Sequence, residues 1–425
     1  MNLLVNNFLN REFNKKVFYG QFGLERENLR ITSDGYISQI KHPFGKNKYV
    51  DRDFCESQLE LISPVCNSTS ELYSCVEKID SDIKFCLNNM KEKEYIWPFS
   101  NPPYISSSKG IPIADYEEES KAKKIYRQYL SKKYGDKKMI YCGIHFNYSY
   151  SNEFLEEEFR KSKFDNLQKF KNKLYLELSK KLEHLSWLLV YLTSASPVFD
   201  GSLLDDKQLG KSIFIGEASR RNGVNGFWNN FIPIIDYNDI ESYVESIKIN
   251  IRKKLLYSCT EFYKPVRIKC KGLNSLDRLK SNGVDHIEIR VFDINPFSKL
   301  GIFKEDLDFI HYFIIYLTYK DSIVFKEREQ INALANHKKA SLFDVSKLYL
   351  NNNGKDITLS EWAIDILNDM EKFFINTTKL DAIKIINKMK QRVYDPCTRY
   401  SYKIYECFGT DYVKNGIKLS KEYSK

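Results

Sequence analysis

Gly23-Leu24-Glu25-Arg26-Glu27-Asn28-Leu29-Arg30 reads as a strand. Its period of two sets Glu25 and Glu27 on one face and Leu24 with Arg26 on the other. Two carboxylates side by side on one strand face repel, so the arrangement calls for a neutralising partner, and a divalent cation supplies one. For this pair alone, two solvated surface glutamates are the simpler alternative.

The pattern returns in His286-Ile287-Glu288-Ile289-Arg290-Val291-Phe292-Asp293. Here Ile287, Ile289 and Val291 face a core, while His286, Glu288 and Arg290 share the opposite face; an ordinary in-strand ion pair is the plain alternative. Asp53, Glu56 and Glu60 would share a helical face, but Leu59, Leu61 and the stop at Ser63-Pro64 favour a strand ending there, with Glu60 on its polar face. His145, between Ile144 and Phe146, reads alone as a hydrogen-bonded core histidine and gains weight only beside the acids. Hard oxygen donors with at most one histidine suit magnesium or manganese better than zinc, and magnesium implies phosphate. With neither a GxxxxGK[ST] loop nor a GxGxxG after a strand, a P-loop and a Rossmann site are excluded. A carboxylate-lined sheet with arginines on the phosphates is the architecture left.

Outward from these stretches, alternation or β-branched and aromatic enrichment predicts strands at 21–32, 59–63, 140–150, 263–269 and 286–292. Ser68 and Glu71 form a capping box ahead of Leu72, Val76, Ile79, Ile83, Leu87 and Met90, which recur at helical spacing. Further helices are expected at 165–194 and 304–321, and Thr358 with Glu361 repeats the cap ahead of Trp362, Ile366 and Met370. Strands separated by unequal helical stretches predict an α+β fold with helices packed on one side of the sheet. No repeat or Pro/Gly-rich linker divides the chain, so one domain over 1–425 with a mostly helical C-terminal third is expected.

Of 425 residues, 42% are hydrophobic and 29% charged, which excludes wholesale disorder. The net charge of +10 comes from 66 Lys and Arg interleaved with 56 Asp and Glu, so a solvated lysine-rich surface is favoured over nucleic-acid binding, with room for a basic cleft that takes a polyphosphate. Nine cysteines without a CxxC pair read as reduced thiols. The opening MNLLVNNFLNREFNKK lacks the features of a secretory leader, and the apolar runs at 187–192 and 309–317 fall short of the roughly 20 residues a membrane span needs. A cytoplasmic protein is expected.

GLERENLRI (23–31), DFCESQLELISPV (53–65), WPFSNPPYI (97–105), YRQYLSKKYG (126–135), GIHFNYS (143–149), YLTSASPVFD (191–200) and HIEIRVFDINPFS (286–298) together, in this order, resemble the bacterial glutamate-cysteine ligases. The resemblance implies a fold related to glutamine synthetase, a curved and mainly antiparallel sheet forming a funnel lined by metal-binding acids. It implies that Glu25, Glu27, Asp53, Glu60, His145 and Glu288 bind magnesium, with manganese as the alternative, and that Arg290 meets the transferred phosphate, making Glu288 and Arg290 the catalytic pair. Arg221, in Ser219-Arg220-Arg221-Asn222, matches the arginine for substrate glutamate, with Arg220 as the rival. Tyr126 and Phe227 fall on the substrate side, and Arg127, Arg267, Lys269 and Arg290 on the ATP side.

The implied reaction is ATP-dependent ligation of the L-glutamate γ-carboxylate to the L-cysteine amine through γ-glutamyl phosphate, the first step of glutathione biosynthesis. The implied partners are L-glutamate, L-cysteine and ATP, with no nucleic acid, membrane or obligate protein partner. Phe227, where some relatives have a tyrosine, and Met139, in place of a polar residue, leave another amine acceptor open. No second, ATP-grasp domain is legible, so the dipeptide alone is expected as product. A non-catalytic binding or regulatory protein is the remaining alternative, against which the retained acid cluster argues.

Overall fold

A computed structural model describes residues 13–106, 110–116 and 121–425. Most of the stretch read for a leader, residues 1–12, lies outside the described residues. Eleven strands are present among the described residues: β1 (Gly20–Ile31), β2 (Val50–Arg52), β3 (Gln58–Ile62), β4 (Tyr95–Ile96), β5 (Ile144–Tyr150), β6 (Val198–Asp200), β7 (Ser212–Phe214), β8 (Val266–Lys269), β9 (His286–Phe292), β10 (Tyr349–Asn352) and β11 (Lys355–Thr358). Seven of them build one open sheet in the order β2-β3-β1-β5-β9-β8, with β4 on the far end of β1. Every pairing in it is antiparallel, as expected of this fold class. The β5/β9 register shifts between Ile144 and Phe146, an irregularity of the kind that bends a strand, and it falls at His145.

The register places the acids on one face. Glu60 of β3 stands opposite Glu27 of β1, and Glu25 opposite His145 of β5. Glu288 of β9 pairs with Asn147 of β5 on one side and Arg267 of β8 on the other.

The opposite face is covered by helices: α1 (Thr69–Asn88), α3 (Leu167–His184) and α4 (Ser186–Thr193) pack on the sheet, and α5 (Lys304–Tyr319) lies against α1 and α3. A further helix, α2 (Lys121–Tyr134), sits across the acid-bearing face, so the expectation of helices on one side only is corrected. Beyond α5 come α6 (Glu327–Ala340), α7 (Leu359–Asn376) and α8 (Leu380–Tyr394). The buried side chains of sheet and helices form one continuous hydrophobic cluster. No helix among the described residues is long and apolar enough to cross a membrane.

The apolar stripe expected for α1 is buried from Leu72 to Leu87, while Met90 lies past the helix end and is half-buried, and only half of the capping box is made. Ser68 Oγ accepts from Glu71 N at 3.1 Å, whereas the Glu71 carboxylate accepts from Asn67 N at 2.7 Å. The box of Thr358 and Glu361 at α7 is complete. The single helix expected over 165–194 is two, broken at Leu185, because the Ser186 hydroxyl donates to the Glu183 carbonyl at 2.9 Å and also meets His337 at 2.8 Å. The strand expected from 263 starts only at Val266: Pro265 has no N–H to give a ladder. The strand expected from 140 starts at Ile144, since 140–143 turn to bring Gly143 against Arg221.

Candidate active site

Glu25, Glu27, Asp53, Glu60, Tyr126, Arg127, His145, Arg221, Phe227, Arg267, Lys269, Glu288 and Arg290 all line one cavity of about 360 Å³ on the acid-bearing face. At its floor, Glu25, His145 and Glu288 each offer a ligand atom within 4.8 Å of the others. The Glu25 carboxylate contacts His145 Nδ1 at 3.1 Å and accepts from Asn147 Nδ2 at 3.1 Å. His145 also lies 3.7 Å from both Glu27 and Glu288. Glu60 and Asp53 line the cavity outside the three-ligand cluster. The Asp53 carboxylate is met by Arg127 at 3.4 Å, while the Arg127 Nε donates to the Asp53 carbonyl at 2.6 Å.

Burial and mutual repulsion dominate the electrostatics on the β1/β3 side. Desolvation, with Asp53 adding repulsion, pushes the Glu27 carboxyl up to about 8 against the pull of Arg221 and Arg290. Desolvation and the charges of Asp53, Glu25 and Glu27 drive Glu60 well above the usual carboxylate range. Across the floor the balance reverses. Burial alone would raise Glu288, but Arg290, Lys269 and Arg267 hold it well below its ordinary value. Burial and the nearby Arg290 charge bring His145 down to about 4, leaving a neutral imidazole able to ligate a metal. Burial likewise raises Glu25, but the hydrogen bond to His145 and the charge of Lys269 take it below its ordinary value.

These carboxylates fit a divalent cation on a concrete observation. Glu288 Oε2 is buried and accepts no hydrogen bond, although Lys269 Nζ lies 3.4 Å away. Glu27 and Glu60, directly opposed in the ladder, have only repulsion between them. Oxygen donors with a single imidazole are the set that a hard cation takes.

The cationic wall begins with Arg290, whose Nη1 donates to Glu288 at 3.0 Å. Arg267 and Lys269 follow from β8. Arg221 donates through Nη1 to the Arg290 carbonyl at 2.7 Å and lies flat against Gly143, where an added Cβ would stand 2.4 Å from its guanidinium carbon. That contact explains the glycine in GIHFNYS. Arg220 turns away, with Nη1 on Glu217 at 2.9 Å, Nε on the Tyr141 hydroxyl at 3.0 Å, and its guanidinium over the Phe199 ring. Of the two arginines, Arg221 lines the cavity and Arg220 does not. Met139 and Phe227, the two departures, line the cavity too.

Lys123, Tyr141, Thr260, Tyr263 and Asn274 line the cavity as well, and the sequence reading did not single them out as site residues. Tyr263 carried a signal, since it shares the two-residue alternation of Arg267 and Lys269. Lys123 stands one helical turn before Tyr126 and Arg127. Thr260 and Asn274 come from irregular segments where no periodicity points to them.

The family profile described as glutamate-cysteine ligase matches residues 5–257 and 229–340. The chain is 33% identical over 422 residues to the glutathione biosynthesis bifunctional protein GshAB of Clostridium perfringens, covering 95% of this chain and 54% of that protein. It thus spans about half the length of that relative. It is 27% identical to the glutamate–cysteine ligase of Clostridium acetobutylicum, covering 88% of this chain and 87% of that one. The crystal structure of a bifunctional glutathione synthetase from Pasteurella multocida superposes with a TM-score of 0.83 at 26% identity, over 96% of this chain and 53% of that chain. The antiparallel, acid-lined sheet and the match across most of the chain agree, and the protein belongs to the glutamate-cysteine ligase family.

Proposed function

We propose that this chain joins the γ-carboxylate of L-glutamate to the amine of L-cysteine at the expense of ATP, through γ-glutamyl phosphate, giving γ-glutamylcysteine, ADP and phosphate. The observation that carries the reading is the single cavity in which carboxylates from β1, β3 and β9 face a wall of Arg221, Arg267, Lys269 and Arg290. A carboxylate does not react with an amine while oxide is its leaving group, so phosphorylation must precede attack.

Glu25, Glu27, Asp53, Glu60, His145 and Glu288 would hold magnesium ions, with manganese as the substitute. Bound there, the metal neutralises the nucleotide phosphates and offsets charge on the transferred group. Arg290, oriented by Glu288, presents its remaining donors to the phosphoryl oxygens as a rigid fork. Arg267 and Lys269 take the nucleotide phosphates, with Arg127 at the rim. Arg221, pinned by the Arg290 carbonyl, receives the α-carboxylate of glutamate. Tyr126 and Phe227 bound the acceptor side. The reading treats the chain as one catalytic unit, supported by its continuous core.

The purified chain with ATP, magnesium and glutamate should release ADP only when an amine acceptor is added. A panel of amines with mass identification of the product tests the acceptor: γ-glutamylcysteine is expected, and a preferred product with another amine would overturn the cysteine assignment. Because Met139 and Phe227 border the cavity, the panel includes small amino acids without a thiol.

A further inference from the structure

The loop that carries Arg221 has no regular structure of its own, yet its residues are buried. What holds it is a carboxylate that the reaction does not touch. Asp293 follows directly on β9 and is 3% exposed. Its Oδ2 accepts from Ala195 N at 2.9 Å and from Ser196 Oγ at 2.8 Å, and its Oδ1 accepts from Ser219 Oγ at 3.0 Å.

Both hydroxyls pass the constraint on, one to each side of Arg221. Ser196 Oγ accepts from Arg220 N at 3.2 Å, and Ser219 Oγ accepts from Asn222 Nδ2 at 2.9 Å and from Asn222 N at 3.3 Å. Asn222 also donates to the Val291 carbonyl at 2.9 Å, and its Oδ1 meets the neutral His337 at 3.1 Å. The residues flanking Arg221 are therefore tied to the end of the strand that carries Arg290, and the Arg221 guanidinium completes the tie on the Arg290 carbonyl. A hydroxyl that donates to a carboxylate keeps its lone pairs for the N–H groups, so Asp293, whose oxygens accept all three bonds, fixes the polarity of the whole chain of bonds.

We propose that Asp293, acting through Ser196 and Ser219, is the positioning residue that sets Arg221 in register with Arg290 and thereby tunes glutamate binding without contacting substrate. This rests on the reading of Arg221 as the glutamate-binding arginine. Asp293→Asn keeps the size but turns an amide N–H₂ toward one of the donors, which breaks the polarity.

The test is a double-mutant cycle of Asp293→Asn and Arg221→Lys, with a parallel cycle of Ser219→Ala and Arg221→Lys that removes the relay on one side without touching the carboxylate. KM for glutamate, KM for ATP, kcat and thermal melting are measured for each. Asp293→Asn should raise KM for glutamate about tenfold and leave KM for ATP within about twofold, and the double variant should be no worse than Arg221→Lys alone. Ser219→Ala should behave alike but more mildly, and it carries the test if Asp293→Asn does not fold. Multiplicative losses in the double variants, or an equal rise in both KM values, would overturn the proposal. An Arg221→Lys enzyme with unchanged KM for glutamate would overturn the reading of Arg221 instead, so the two failures are distinguishable.

Discussion

Both faces of β1 bury charged residues, arginines on one and glutamates on the other, and treat them in opposite ways. On the helix-covered face, Arg26 pairs with Asp80 of α1, which is also held by Lys84. Toward the end of the strand, Arg30 is fully buried and bonds Glu94 and the carbonyls of Ile40 and Glu56. Ser38 donates to the same glutamate. On the other face, Glu25, Glu27 and Glu60 stand among one another, and Glu27 is driven up to about 8 by burial and repulsion. Buried charges matched by opposite charges make structure, and buried carboxylates set against one another along a cavity mark a place built for something brought from outside.

The largest effect is expected from breaking the unmatched face. Glu25→Gln or Glu288→Gln should lower turnover about a thousandfold, roughly 4 kcal/mol, in protein that still folds, and Glu288→Gln, which loses its pairing with Arg290 and Lys269, should also melt lower. Steady-state ADP release over a magnesium titration, beside a thermal melt, checks it. Near-normal activity in either folded variant would remove that residue from the metal site.

On the matched face the opposite pattern is expected. Arg26→Met leaves Asp80 with Lys84 alone and should cost about 3 kcal/mol of stability, while the folded fraction keeps its kcat. Urea denaturation followed by assay of the native protein would show whether stability and activity separate in this way.

Arg221→Lys keeps the charge and loses the fork. It should raise KM for glutamate about thirtyfold, roughly 2 kcal/mol, with kcat little changed, whereas Arg220→Lys should leave that KM alone because Arg220 faces Glu217 and Tyr141. Parallel kinetics on the two variants decides; the reverse pattern would move the role to Arg220.

The smallest effect sharpens the matched face. His311 of α5 is buried edge-on against Phe22 of β1, its Nε2 has no hydrogen-bond partner, and burial brings its pKa down to about 3 from 6.5. A histidine depressed in the folded state contributes its stability fully above the unfolded value and loses it as pH falls below about 6.5, because only the unfolded chain then takes up the proton. The loss from His311 should be about 1 kcal/mol between pH 6.5 and 5.5. His42, His145, His184 and His337 are depressed in the same sense, so His311→Phe should lessen the slope by the share of His311 alone, as read from urea midpoints at the two pH values. An unchanged slope would mean that His311 is protonated in the folded protein.

Much of this was legible in residue order. The alternation in 23–30 set Glu25 and Glu27 on one face, and that in 286–293 set Glu288 with Arg290, because a strand's period of two leaves no choice of side. The apolar spacing of α1 marked its buried side for the same reason. The break at Leu185 was not legible, since Leu182, Leu185, Leu188 and Leu189 keep helical spacing across it and only the Ser186–His337 contact, between positions far apart in the chain, reveals it. The short strands β2, β4, β6, β7, β10 and β11 are held by partners rather than by their own pattern.

By itself, then, the order of residues determined which side chains share a face and what chemistry they carry, since that depends only on local geometry. Tertiary structure alone decided that Glu60 lies opposite Glu27, that Arg221 and not Arg220 enters the cavity, and that Asp293 holds the Arg221 loop. Register, the direction of an irregular loop and the partners of a buried carboxylate are set by contacts between segments distant in sequence, and no local period encodes them.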